Sequence, residues 1–176
     1  INAEISCITP PPIEIINDIK YFNLFVFFTT ILVFILDRIS KIKIISFQEE
    51  ISGYIFINNY LNFDLVWNTG IGFGLLSLEA SLFYHFISIL IFLVLCFIVY
   101  LMSKSKKIDK LLYALILGGA AGNLYDRIFF FAVPDFIDVH FKEYHWFTFN
   151  IGDIFISIGI LLLILKEMFF YKNENK

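Results

Sequence analysis

Four stretches of nearly unbroken apolar residues, separated by polar and turn-forming segments, set the plan of this chain. They are Tyr21 to Leu36, extended by Ile39 and Ile42; Leu82 to Met102; Ile108 to about Ala121; and Ile151 to Phe170. A helix crosses the hydrocarbon layer with about 20 apolar residues, so each is predicted to be a transmembrane helix, the third a short one. Between the first two, Ile44 to Ser77 is too polar and too interrupted to span. Its runs Tyr54-Ile55-Phe56-Ile57 and Asp64-Leu65-Val66-Trp67 alternate with turn residues at Asn58-Asn59, Asn62 and Asn68-Thr69-Gly70, which predicts short strands. Non-helical backbone at membrane depth must be covered by protein or water, so a small sheet lying over the helices is expected.

The expected fold class is therefore an all-α membrane protein with four transmembrane helices and a small β-rich segment, residues 44–77, on the outer face. No repeat or interdomain linker is visible, which leaves one domain over 21–171. Residues 1–20 read as a flexible lead-in containing Pro10-Pro11-Pro12, and 172–176 as a short tail. The first span resembles a signal anchor without a small-residue cleavage site and is expected to be retained.

Composition agrees with this plan. Of the 176 residues 59% are hydrophobic and 19% aromatic, and the mean hydropathy is +0.81, well above a soluble domain with its roughly 45–50% apolar residues. The formal net charge of -3 offers no polybasic surface for nucleic acid. The run Lys104-Ser105-Lys106-Lys107-Ile108-Asp109-Lys110 between the second and third spans, and Lys166, Lys172 and Lys176 at the end, place both segments in the cytoplasm by the distribution of basic residues. With four spans the N-terminus is also inside, and 38–80 and 127–150 lie outside. Arg38, Lys41, Lys43, Arg127 and Lys142 run against that distribution, and a functional outer site would account for some of them. Cys7 and Cys96, one in a polar lead-in and one mid-span, are expected to be free thiols.

Against this apolar background the ionisable residues stand out, because a charge near the bilayer centre costs at least roughly 2.5–3.5 kcal/mol and usually faces a protein interior. Asp37 and Lys41 are four apart on the first helix, close enough to pair; on spacing alone this is an interfacial ion pair with a snorkelling lysine. Asn68-Thr69-Gly70-Ile71-Gly72-Phe73-Gly74 can turn sharply, as either a substrate rim or a hairpin turn. In Gly118-Gly119-Ala120-Ala121-Gly122-Asn123-Leu124-Tyr125-Asp126-Arg127, small residues permit close helix packing, while Asn123, Asp126 and Arg127 share one face. Asp126 beside Arg127 reads as an architectural pair. Asp135 follows Pro134, which excludes helix continuation, and sits among apolar neighbours. Asn150 suits a helix cap; capping leaves Asp153, inside the fourth span, without an explanation.

Two carboxylates brought together in a poorly solvated place cannot both ionise easily, so one holds a proton while the other accepts one. That is the chemistry of aspartic proteolysis. Other chemistry lacks support: there is no G-x-S-x-G elbow, and His85, His140 and His145 lack both an H-E-x-x-H pattern and Cys or Glu at ligand spacing. No metal or cofactor is expected.

Taken in order, five motifs resemble those of the lipoprotein signal peptidases, the type II signal peptidases of bacterial inner membranes. They are Asp37-x-x-x-Lys41, Asn68-x-Gly70-x-x-Phe73-Gly74, Gly118-Gly119-Ala120-x-Gly122-Asn123-x-x-Asp126-Arg127, Val133-x-Asp135-Phe136 and Phe149-Asn150-x-x-Asp153, within residues 20 to 170. The resemblance implies a monomeric four-helix aspartyl endopeptidase, embedded among membrane lipids, with its site toward the outer face. It would cut a prolipoprotein before the cysteine that carries a diacylglyceryl group. It implies Asp135 and Asp153 as the catalytic pair, Asn68, Asn123, Arg127 and Asn150 as polar groups around substrate and pair, and Asp37, Lys41 and Asp126 as supports. Two departures are Gly152 and Gly72, where Ala is more usual in the family. A presenilin-like peptidase would instead pair Asp126 with Asp153, but Asn150 stands where that pattern needs glycine. A proton-coupled transporter lacks the expected repeated halves, and a structural scaffold leaves Asp135 and Asp153 unexplained.

Overall fold

A computed structural model describes residues 13–50, 53–70 and 80–174. Helix α1 (Ile13–Glu50) is followed by strands β1 (Ile55–Asn58) and β2 (Leu61–Asn68), helices α2 (Ala80–Lys104) and α3 (Lys107–Phe129), strands β3 (Val133–Phe141) and β4 (Tyr144–Phe149), and helix α4 (Ile151–Glu174). Helix α3 is the centre of the bundle and packs against the other three. Along α1 the buried positions Val26, Val33, Asp37, Lys41 and Ile44 recur every three, four or seven residues, which gathers them on one face. Elsewhere on the helix Phe25, Phe27, Phe28 and Leu32 point their apolar side chains outward.

Two helical segments, Asn17–Glu50 and Tyr84–Lys104, are long and apolar enough to cross a membrane by length and composition. Their most apolar windows are only 11% and 0% buried inside the protein. Apolar helices this exposed belong in lipid rather than in the core of a soluble domain.

The four strands form one antiparallel sheet in the order β1-β2-β3-β4. Its core joins Phe136 and Ile137 of β3 to Ile44 of α1, with Phe63, Leu65, Phe149 and Ile154 packed around them. This contact explains a difference from the sequence reading. The expected first span ended at Ile42 and the outer segment began at Ile44; the helix continues to Glu50 because Ile44 and Ile45 lie against the sheet. The lead-in also differs, since Ile13 to Lys20 already belong to α1; residues 1–12, including Cys7 and the proline run, lie outside the described residues.

The expected strands in 54–68 are present. The second outer segment, 127–150, for which no strands were expected, holds β3 and β4. The eight residues Val133 to His140 are buried save for the half-buried Val139, so the chain lacks the apolar-polar alternation that marks a half-exposed strand. Pro134 is tolerated in β3 because there the strand pairs only with β2; its ladder with β4 starts at Ile137. Helix α3 runs eight residues past the expected end near Ala121, carrying the glycine-rich motif and Asp126 within it.

Candidate active site

Asp135 and Asp153 are delivered by different elements and meet through Asn150. Asp135 projects from β3, opposite Val66 of β2, and is 4% exposed. Its Oδ2 accepts a hydrogen bond from Asn68 Nδ2 at 2.8 Å, and its Oδ1 one from Asn150 Nδ2 at 2.6 Å. Asp153 lies in the first turn of α4 and is half-buried. Its Oδ1 accepts from Asn123 Nδ2 at 2.8 Å, and its Oδ2 from the Asn150 backbone N–H at 3.1 Å. Each of the four carboxylate oxygens thus holds one donor and keeps lone-pair capacity for a proton or a water.

Asn150 is fully buried and makes three contacts at once. Besides its bonds to Asp135 and Asp153, its Oδ1 accepts the Asp153 backbone N–H at 3.0 Å. Together the two residues form a reciprocal capping box at the start of α4. Capping therefore accounts for part of Asp153 as well as for Asn150, contrary to the sequence reading. One oxygen is spent on the cap; the other faces Asn123.

Beneath this pair lies a second polar layer, buried more deeply. Lys41 Nζ donates to Asp37 Oδ2 at 2.8 Å, to Asn123 Oδ1 at 2.7 Å and to Asp126 Oδ2 at 2.8 Å, and Asp37, Lys41 and Asp126 are all 0% exposed. The pairing of Asp37 with Lys41 is as the spacing predicted, but the lysine does not snorkel. It points inward because three acceptors surround it there. Asp126 is paired with Lys41 and with Arg38 Nη1 at 2.6 Å, not with Arg127; Arg127 instead donates to the Asn123 carbonyl at 3.2 Å. Arg38 stood out in the sequence only as one of five cations running against the charge distribution, with no role assigned to it. Beside Asp37 at a span end it looks like any interfacial cation, and only the fold reveals the carboxylate 88 residues away that it meets. It also lies over the Tyr125 ring at 4.9 Å.

The two layers are joined at two points. Asn123 accepts from Lys41 on its oxygen and donates to Asp153 from its nitrogen, so the ion network fixes the amide orientation. Asp37 Oδ1 accepts the Gly152 backbone N–H at 2.9 Å, which ties the first turn of α4 to α1. Helices α3 and α4 also touch at Gly119 and Gly152: a Cβ at 152 would stand 2.9 Å from the Gly119 carbonyl oxygen and 3.0 Å from Asp37 Oδ1. Glycine at 152 lets the helices approach without displacing those groups.

Burial pushes the Asp135 carboxyl above the usual carboxylate range; the bonds from Asn68 and Asn150 and the charge of Lys41 oppose that rise, and neighbouring Asp153 adds to it. Two grooves reach the polar layers, and Asp153 lines the first of them. One of about 340 Å³ is lined by Phe147, Phe149, Ile154 and Ile158; the other, about 370 Å³, lies between α2, α3 and α4 and reaches Asn123 and Arg127. Of the Asn68-to-Gly74 motif, Asn68 to Gly70 are described, and Ile71 to Gly74 lie outside the described residues.

The family model described as signal peptidase (SPase) II matches residues 29–169. The lipoprotein signal peptidase of Pelagibacter ubique is 49% identical over 156 residues, covering 88% of this chain and 92% of that protein. The lipoprotein signal peptidase of Aquifex aeolicus is 42% identical over 143 residues, covering 78% and 81%. A solved bacterial membrane enzyme superposes with a TM-score of 0.67 at 30% identity, covering 84% of this chain and 90% of its own. The match runs through α1, the sheet, the Asn123-to-Arg127 face and the Asp135 and Asp153 segments, and the chain belongs to the signal peptidase II family.

Proposed function

We propose that this chain is a membrane aspartyl endopeptidase that removes the signal peptide from diacylglyceryl-modified prolipoproteins, cutting before the lipidated cysteine. The observation that carries the reading is the shared bridge of Asn150, which holds one oxygen of Asp135 and one of Asp153 in a single hydrogen-bonded unit. Such a pair, partly desolvated, favours a state with one proton between two carboxyls.

In that state the ionised carboxylate takes a proton from a water lodged between the pair, and the water oxygen forms a bond to the scissile carbonyl carbon. The protonated carboxyl gives its proton to the carbonyl oxygen as the tetrahedral intermediate forms. Collapse returns that oxygen to a carbonyl as its hydroxyl proton passes back to the carboxylate that supplied it and the C–N bond breaks; the departing amine takes a proton from the other aspartate, so the pair is restored. Asn68, Asn150 and Asn123 hold the carboxyls so that neither must be reoriented during the reaction. Asp126 is disfavoured as a partner, since both of its oxygens are engaged by cations.

All four helices cross the inner membrane in this reading, with both termini in the cytoplasm and the sheet and dyad toward the outer face. The groove that reaches Asn123 and Arg127 is open to lipid along α2, α3 and α4, as entry of a membrane-embedded signal helix requires. The enzyme acts as a monomer on its lipidated substrate.

The test is cleavage of a diacylglyceryl-modified prolipoprotein by the purified protein in detergent. Asp135→Asn and Asp153→Asn are expected to abolish turnover, and Asp126→Asn to lose stability while retaining measurable turnover. A wild-type protein that cleaves neither the lipidated nor the unlipidated precursor would overturn the reading.

A further inference from the structure

The end of the bundle away from the dyad carries a cluster of charge that the peptidase reading does not use. At about 1.5 Å per residue, Lys166 is roughly 20 Å further along α4 than Asp153. There it meets the connection between α2 and α3, and the two elements enclose a cleft of about 610 Å³ lined by Lys104, Lys106, Lys107, Asp109, Lys166 and Glu167. The carboxylates do not neutralise it. Asp109 is engaged by Lys166, and Glu167 stands 3.9 Å from the same lysine. Lys104 and Lys106 have no carboxylate partner among the described residues, and Lys107 has only the face of the Phe22 ring, 5.4 Å from its Nζ. All three are exposed.

Beside the cleft the surface turns apolar within one helical turn. Tyr100 of α2 and Ile108 of α3 are 58% and 63% exposed, and Phe97 continues the same apolar surface toward the middle of the bundle. A ligand that fits this place is therefore anionic at one end and apolar at the other. We propose that the cleft holds the phosphate-bearing headgroup of an anionic phospholipid, whose acyl chains lie along the exposed apolar residues of α2 and α3. Basic pockets at the ends of transmembrane helices recognise such headgroups by charge. A free phosphate would use the lysines alone and leave the adjoining apolar surface without a role. The site is independent of the dyad, so its failure and that of the peptidase reading are separable.

The experiment is native mass spectrometry of the full chain in detergent, offered phosphatidylglycerol or phosphatidylcholine with identical acyl chains. Each lysine near an anionic lipid weights binding by roughly fivefold. Wild type is expected to retain phosphatidylglycerol in clear preference. Lys104→Gln/Lys106→Gln/Lys107→Gln should weaken that preference by on the order of a hundredfold, or abolish it. Lys43→Gln/Lys142→Gln, which removes cations elsewhere, should leave it intact. Equal retention by the triple variant, or an equal loss in the Lys43/Lys142 control, would overturn the proposal. So would displacement of the lipid by soluble glycerol phosphate at the same concentration, which would assign the cleft to a free anion.

Discussion

Replacing Lys41 by methionine, which keeps an unbranched side chain one atom shorter and removes its charge, tests how the buried ion network supports the site. Arg38 and Lys41 face Asp37 and Asp126, two cations against two carboxylates, and only Arg38 has any exposure. Without Lys41, Asp37 Oδ2 and Asp126 Oδ2 lose a charged donor at 2.8 Å, and Asn123 Oδ1 loses one at 2.7 Å. Removing one partner from a buried ion pair costs about 3–5 kcal/mol, because the other charge is left uncompensated. The expected destabilisation of Lys41→Met lies in that range. Adding Asp126→Asn restores neutrality and should recover part of it. Activity should fall beyond what unfolding explains, since Asn123, freed from the lysine, no longer presents its nitrogen to Asp153 in a fixed orientation. The assay is thermal unfolding in detergent alongside turnover of a lipidated precursor measured well below the transition. Lys41→Met within about 1 kcal/mol of wild type, or a double variant less stable than the single, would refute the reasoning.

Gly118→Ala should destabilise by about 1–3 kcal/mol, because its Cβ would stand 2.6 Å from Val33 Cβ and 2.7 Å from the Thr30 carbonyl oxygen, forcing α1 and α3 apart; an unchanged unfolding midpoint would contradict the close crossing. Asn150→Ala removes a helix cap, at about 0.5–2 kcal/mol, together with the bridge between the aspartates, so kcat is expected to drop far more than stability does. Asn68→Ala removes a bond that favours the ionised form of Asp135. Its pKa should therefore rise further, and the limb of the pH–rate profile that Asp135 governs should move to higher pH; a shift to lower pH would reverse the assigned role of Asn68.

The parts of the fold that follow from a single local pattern were legible in the chain. The four apolar stretches are helices, the two runs around Asn58-Asn59 are β1 and β2, and Asn150 caps α4. What remained hidden depends on tertiary cover. Strand β3 escaped because burial on both faces removes the alternation that signals a strand, exposed β4 is held as a strand by its ladder with β3, and the true end of α1 at Glu50 follows from a sheet packing on Ile44. Lys41 looked like a snorkelling residue because its acceptors Asn123 and Asp126 are more than 80 residues away. Arg38 stood out only as one of several cations against the charge distribution, and its partner Asp126 was hidden for the same reason. Asp135 and Asp153 could be named as carboxylates out of place, yet nothing local predicted that Asn150 would hold both.

The most direct test of the account is a double-mutant cycle at the dyad: turnover of a diacylglyceryl-modified prolipoprotein by Asp135→Asn, Asp153→Asn and the variant carrying both. Residues that act as one catalytic unit are strongly non-additive, each single loss removing nearly all the effect. The account predicts that either single substitution takes turnover to background and that the double variant is no slower, with all three proteins folded by circular dichroism. Appreciable turnover in either single variant, with losses that multiply in the double, would show that Asp135 and Asp153 do not share one reaction.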